Sequence, residues 1–441
     1  MEKYIVFQPK LTKPDRIVLE ALAEDVKLFS SSIASKETEN RLGRNGNDHY
    51  YGKSRNAVVL SRLNALNNPK DARFEPTVFV NQEFDQIEWH NNFNQYVLRP
   101  YLRLARSVVR VETDVVMLTH LLLYFSTSVP SALILYSWRF TWIHAVLHFI
   151  MQVSYMGTYT LMMHQHIHMR GILHHRFAFF DRLFPYITDP LMGHTWNSYY
   201  YHHVKHHHVE GNGPDDLSST VRYQRDNVLH FLYYFGRFFF LVWFDLPSYF
   251  IRKQKPHLAA KAIFWEIGNY VTIVSLYAWQ PKPTIFVFAL PLFLLRIGLM
   301  VGNWGQHAFV DAQEPSSDYR SSITLIDVAS NRYSFNDGYH TSHHLNPLRH
   351  WRDHPNAFIK GKEAYETQGA LVFHNIDYIM ITIRLLLKDY DHLVKCMVPI
   401  GKEQLAMSLA DRVFLLKSHT RRFSEEDIRR KFRADDDCHN A

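Results

Sequence analysis

The chain has 441 residues, 49 Lys plus Arg against 42 Asp plus Glu, and a formal net charge of +7 with histidine neutral. Hydrophobic residues make up 47%, aromatic residues 15% and charged residues only 21%, which excludes a disordered chain. Cys396 and Cys438 are the only cysteines, which excludes a disulfide scaffold and any cysteine-built zinc or iron–sulfur site.

The basic residues are scattered and form no nucleic-acid motif, so no nucleic-acid partner is expected. A mild positive excess suits the anionic cytosolic face of a membrane. Residues 1–14 contain no apolar run of signal-peptide length, so region 1–110 is expected in the cytosol. Within it, 15–30 has the pattern of an amphipathic helix. Residues 31–56, with their Ser, Asn and Gly clusters, read as a loop. Four apolar stretches follow. Residues 115–138 and 141–163 carry no formal charge, 262–280 carries only Glu266, and 284–303 carries only Arg296. Each approaches or exceeds the roughly 20 helical residues needed to cross a hydrocarbon core. The connections Arg139-Phe140 and Gln280-Pro-Lys-Pro283 are short, so the stretches pair as two hairpins, with a kink possible at Pro130.

Segment 228–250 is apolar but interrupted by Arg237, Asp245 and Pro247. If it spanned, Arg252, Lys253, Lys255 and Lys261 would lie outside, against the positive-inside tendency, and the histidine-rich segments would face opposite sides. It is therefore placed in the interface. Segment 376–387 is too short to span and reads as a second in-plane helix. The tail from about 418 is charged and reads as solvated. The expected fold is an all-α integral membrane protein: two transmembrane helical hairpins, four spanning helices in all, under a cytosolic histidine-rich helical cap. Its regions are 1–110, 111–355 (the membrane domain) and 356–441.

Histidine is the abnormal residue, with 28 copies. Four clusters stand out: His164-Gln-His166-Ile-His168; His202-His203-Val-Lys-His206-His207-His208; Asn303-Trp-Gly-Gln-His307; and His340-Thr-Ser-His343-His344. On helices, residues three or four apart share a face. His164 then converges with His168, His203 with His207, Asn303 with His307, and His340 with His343 and His344. About nine imidazoles exceed what one ion takes, and two first-row metal ions fit better. Imidazole alone does not name the metal. Isolated histidines such as His120, His144, His148, His230, His257 and His392 read as ordinary hydrogen-bonded residues. His166, His174, His175, His194 and His202 are intermediate.

These clusters resemble the histidine boxes of the membrane-bound fatty acid desaturase and hydroxylase superfamily, over roughly residues 110–355. The resemblance implies two iron ions, dioxygen as co-substrate and a lipid or fatty acyl substrate. The first box, His164-x3-His168, has the spacing of alkane monooxygenases, with Gln165 in place of their acid. Residues 209–219 after the second box (Val-Glu-Gly-Asn-Gly-Pro-Asp-Asp-Leu-Ser-Ser) look like the monooxygenase P-E-D-A-S-S segment. That register implies the ligands His164, His168, His203, His207, His208, His307, His340, His343 and His344. The acyl-CoA desaturase register implies His203, His206 and His207 in the second box. The resemblance also implies that Asn303 holds a metal-bound water. Of the nearby acids, Asp337, one helical turn before His340, is the first choice for orienting an imidazole, ahead of Asp215, Asp216 and Asp311.

The expected function is oxygen-dependent, di-iron oxidation of an unactivated C–H bond in a lipid chain, as hydroxylation first and desaturation second. No haem, cysteine or nucleotide motif is present for an internal electron carrier. A separate protein, cytochrome b5-like or rubredoxin-like, is expected to dock, with the basic region 252–261 as one possible site. The expected location is an integral membrane setting, the endoplasmic reticulum in a eukaryote, with the metal site on the cytosolic face. A histidine-rich metal transporter or sensor is the alternative of another class. It would place its ligands inside the spanning segments. A catalytically inactive lipid-binding relative is a third reading.

Overall fold

The computed structural model describes residues 5–39, 48–74, 76–80 and 90–432, and these are predominantly helical. Helices α1 (Lys13–Glu39) and α2 (Asp48–Asn67) open the chain. The loop expected over 31–56 is thus shorter: 31–39 complete α1 and 48–56 begin α2, while 40–47 lie outside the described residues. Ala34, Lys36, Glu37 and Glu39 are good helix formers among the serines.

Helices α3 (Val115–Ser126) and α4 (Ser128–Ser137) run almost end to end. They break at Thr127, three residues before Pro130, where proline removes a helix donor. Together with the turn before them they make a stretch, Glu112–Ser137, long and apolar enough to cross a membrane. Helix α5 (Trp142–Met169) returns alongside and ends at Arg170 in the left-handed conformation. It runs past the apolar stretch, so its last turns carry the first histidine cluster.

Helices α6 (Ala178–Leu191) and α7 (Val228–Arg252) follow. Then come α8 (Pro256–Trp279) and α9 (Leu290–Gln306). The stretch Pro281–Gln306, which ends in α9, is the second one long and apolar enough to cross a membrane. Helix α10 (His340–Leu345) bears the fourth cluster, and α11 (Tyr378–Leu386) packs against α9. That contact requires a glycine: a Cβ on Gly305 would lie 2.4 Å from the Tyr378 carbonyl oxygen. Gly305→Ala is expected to cost about 1–3 kcal/mol by overpacking, read as a lowered thermal midpoint in detergent. Because His307 is two residues away, the variant should also bind metal less tightly.

The all-α expectation needs a correction. Strands β1 (Ile323–Ile326), β2 (Leu371–His374) and β3 (Met397–Val398) form a small sheet, β1–β2 parallel and β2–β3 antiparallel. Its strands are buried throughout, so they lack the alternation by which a half-exposed strand is recognised. Ile17, Val18 and Leu22 of α1 share a core with Ile326, Val372 and Val398 of the sheet and with Tyr339 and Phe358. Residues from the N-terminal, membrane and C-terminal regions thus meet in one core.

Asp15 of α1 is fully buried in that core. It accepts hydrogen bonds from Thr12 Oγ1 at 2.7 Å, Tyr339 Oη at 2.9 Å and Asn331 Nδ2 at 3.0 Å. Burial raises its carboxyl from 3.8 to about 7, against those hydrogen bonds. Below pH 3.8 folded and unfolded chains are both protonated. As pH rises from 3.8 to about 7 the unfolded chain ionises first, so this group's stabilisation, up to about 4 kcal/mol, is progressively lost. Asp15→Asn is therefore expected to flatten the fall in thermal midpoint across that window. Superimposable profiles for variant and wild type would contradict this.

The tail is less solvated than expected. Phe423 and Ile428 pack with Val221 and Val310, and the Phe423 amide bonds the Val221 carbonyl at 2.9 Å. Residues 433–441 lie outside the described part.

Candidate metal centre

The four histidine clusters arrive from separate elements at one place. His164 and His168 stand on the last turns of α5, with ring centroids 4.8 Å apart. The second cluster does not follow α-helical spacing. Residues His203–His207 form a π-helical turn, a widened turn of the kind found at functional sites. It brings His203 together with His208, Nε2 to Nε2 at 3.0 Å. This corrects the expected pairing of His203 with His207, whose ring belongs with a different set. His307 follows the end of α9, and His340, His343 and His344 lie on α10, all buried.

Two groups result. In the first, the Nε2 atoms of His164, His203, His208 and His343 form a closed ring with edges of 2.8, 3.0, 2.8 and 3.1 Å. The His168 ring lies 4.8 Å from those of His208 and His343, and its buried Nε2 has no hydrogen-bond partner. Facing lone pairs at such distances repel unless a proton or cation lies between them. Neighbouring donors on an ion about 2.1 Å from each nitrogen are about 3 Å apart at right angles, which is the observed edge. In the second group, His340 Nε2 lies 3.3 Å from His307 Nε2 and 3.1 Å from His344 Nε2. The ligand atoms of His207, His307 and His344 fall within 4.8 Å of one another. Both groups therefore fit a metal ion.

Hydrogen bonds set the imidazoles for this task. Asp216, fully buried, accepts from His207 Nδ1 at 2.7 Å, leaving Nε2 as the donor atom. Burial works to raise the Asp216 carboxyl, but the neighbouring His207, which also hydrogen-bonds it, with His206 behind, holds it well below its ordinary range. His307 Nδ1 lies 2.7 Å from the Ser321 carbonyl oxygen, and burial first, then His207, pushes this imidazole down to about 3. Burial and neighbouring imidazoles likewise hold His203, His208, His340, His343 and His344 well below the usual range. They are neutral, with lone pairs to offer.

All nine imidazoles expected from the sequence stand in the two groups. His206 stands outside both: its Nε2 accepts the Leu217 amide at 2.8 Å, which spends that lone pair. It lies with His202 and Asp216 in a third cluster, but Asp216 is already committed to His207 and to the Ser218 amide and hydroxyl at 2.9 Å. His166 turns to Asp181 instead. The preference for Asp337 as an orienting acid is corrected: its carboxylate accepts from Gln306 Nε2 at 3.0 Å and from none of the nine imidazoles. Asp311 pairs with Arg320 and Asp215 with Lys253. Asn303 donates Nδ2 to the Ser218 carbonyl and the Tyr234 hydroxyl at 2.8 and 2.7 Å.

Three supporting residues were not legible. His350 bonds both Asp114 oxygens, at 3.0 and 2.9 Å, tying the entry to α3 to the segment after α10. His354 Nδ1 meets Ser342 Oγ at 3.0 Å beneath the fourth cluster. Arg225, buried, donates to the carbonyls of Ala308, Thr220, Tyr223, His419 and Arg421. A lone arginine in a polar loop carries no sequence signal for such a role.

A cavity of 630 Å³ reaches His164, His203, His207 and His340. It runs between α5, α7, α8 and α9, where Val153, Met156, Val242, Leu246, Leu295 and Met300 give it an apolar wall.

The fatty acid desaturase family model matches residues 140–375, more than half of the chain. The chain belongs to the fatty acid desaturase family. Comparisons with curated proteins and with solved structures gave no match. All nine grouped histidines fall inside the matched residues. Membership makes this desaturase-family chain a membrane-associated oxidoreductase of lipids, in a family that typically holds two irons in histidine clusters and draws electrons from a donor.

Proposed function

We propose that the protein uses two irons and dioxygen to oxidise an unactivated C–H bond in a lipid chain. The observation that carries this reading is the meeting of nine imidazoles in two groups, four of which, His164, His203, His207 and His340, line an apolar cavity of 630 Å³. One iron would be held by His164, His168, His203, His208 and His343, the other by His207, His307, His340 and His344. Bound iron supplies the activation of dioxygen that no side chain can provide.

The protein's own part is positional. Asp216 and the Ser321 carbonyl fix two imidazoles in the tautomer that offers Nε2. The apolar cavity wall takes an acyl chain out of the bilayer, aligns it and excludes water. Asn303, with its amide nitrogen already donated, keeps a carbonyl oxygen as an acceptor for a water near His307.

Four spanning helices are proposed, with α5 and α8 completing the two hairpins. Both expose apolar side chains outward: Ile143, Leu147 and Ile150 on α5, Phe264, Val271 and Val274 on α8. Helix α7 lies in the interface, and the histidine groups face the cytosol, in the endoplasmic reticulum if the cell is eukaryotic. A separate cytochrome b5-like or rubredoxin-like protein delivers electrons there.

Hydroxylation comes first, on the His164-x3-His168 spacing and the 214–219 segment. Desaturation is the second reading, favoured by the family match. Both begin with hydrogen abstraction. Product analysis by mass spectrometry separates them: gain of one oxygen supports the first, loss of a hydrogen pair the second. Neither product from metal-loaded, reduced protein across alkane, fatty acid and acyl-CoA substrates would contradict both.

A further inference from the structure

Glu266 on α8 and Arg296 on α9 are the lone charges of their apolar stretches, and both line the cavity. They form a buried ion pair, Arg296 Nη2 to Glu266 Oε1, with exposures of only 8% and 4%. Tyr270 donates its hydroxyl to Glu266, and its ring lies 5.6 Å from the guanidinium carbon. Ser198 and Thr195 line the cavity beside them. His202, whose Nε2 has no hydrogen-bond partner, shares the cavity wall. One turn beyond Glu266, Asn269 is 1% exposed with neither amide atom bonded.

For fold stability this arrangement is a poor choice. A well-packed apolar pair in place of a buried ion pair is often as stable or more so. Ionisable residues at membrane depth mark function by default. Glu266 lies four residues, about 6 Å, inside the apolar stretch that begins at residue 262, within the hydrocarbon core on the side of the histidine groups. Arg296 lies seven residues, about 10 Å, along α9 from Asn303. The charges cancel, so the pair does not suit a carboxylate or phosphate. It offers N–H donors and carboxylate acceptors together, which suits an uncharged oxygen function.

We propose that the Glu266–Arg296 pair recognises a hydroxyl or keto group on the lipid chain itself, apart from its head-group ester, at a distance of about 10 Å or more from the carbon that is oxidised. This rests on the lipid-oxidase reading and narrows its substrate class to lipids already bearing an oxygen function. An earlier oxygenation or acyl condensation must then supply the substrate.

The test is binding, not turnover. The full-length, metal-loaded protein in detergent is titrated with long-chain methyl esters carrying one hydroxyl at successive positions, and with the parent ester. At least one positional isomer is expected to bind about tenfold tighter than the parent, the size of one net buried hydrogen bond. The double variant Glu266→Leu/Arg296→Met, which leaves no uncompensated charge, should bind isomer and parent alike. Glu266→Gln, which leaves the guanidinium without its counter-charge, should shift preference toward the free fatty acid. Equal binding of all esters by the wild type overturns the proposal whatever the variants do, and so does discrimination that survives in the double variant. If the wild type, folded and loaded, binds no ester at all, the lipid-oxidase reading itself fails.

Discussion

His208→Ala is expected to leave the protein with about one bound metal ion where the wild type holds about two. His208 Nε2 closes the ring of the five-histidine group, 3.0 Å from His203 and 2.8 Å from His343. Its loss removes two edges of that ring and leaves the other group untouched. Affinity at the damaged site should fall about 100-fold or more, beyond what losing a supporting hydrogen bond costs. His206→Ala should retain both ions, because His206 spends its Nε2 on the Leu217 amide. Metal content of the two variants, side by side, decides between the second-box registers. Retention of both ions by His208→Ala, with loss in His206→Ala, would reverse the assignment.

Asp216→Asn should weaken metal binding about 10–100-fold at the four-histidine group. The carboxylate that accepts from His207 Nδ1 is also the charge that makes this imidazole a better donor. An asparagine can keep the shape and still lose that charge. Asp337→Asn is the control: this half-buried carboxylate also lies near the site, but its hydrogen-bond partner is Gln306. Titration against a competing chelator reads both variants. A loss with Asp337→Asn as large as that with Asp216→Asn would mean that burial of an acid near the site, rather than its bond to His207, is what matters.

What the sequence made legible follows from what kind of signal each feature leaves. Long uncharged runs announce helices, and residues 115–138, 141–163, 262–280 and 284–303 all fall in helices or the turns joining them. The nine imidazoles were legible because histidine is rare enough for clusters to stand out. How they divide was not. That division depends on one π turn at His203–His207, which replaces an i,i+4 pairing by an i,i+5 one. No residue type encodes such a turn. The choice of Asp337 over Asp216 failed for a related reason: one helical turn of sequence separation says nothing about a loop that folds back over nine residues to meet His207. The sheet of β1, β2 and β3 escaped because its short, fully buried strands show no alternation.

Asp15 and Tyr339 illustrate a longer reach. Their hydrogen bond joins residues far apart in the chain and ties the N-terminal helix to the residue preceding His340. Nothing local in either segment points to the other. The same is true of Arg225, which gathers carbonyls from the second-box loop, the end of α9 and the C-terminal segment. These long-range anchors make the regions around the membrane domain part of the site's support.

The two imidazole groups are proposed to hold two irons. Elemental mass spectrometry on the purified, folded, full-length protein tests this most directly. About two irons per chain, the number suited to groups of five and four imidazole donors, is the predicted result. One zinc per chain, or no metal retained by folded protein supplied with iron, would contradict it.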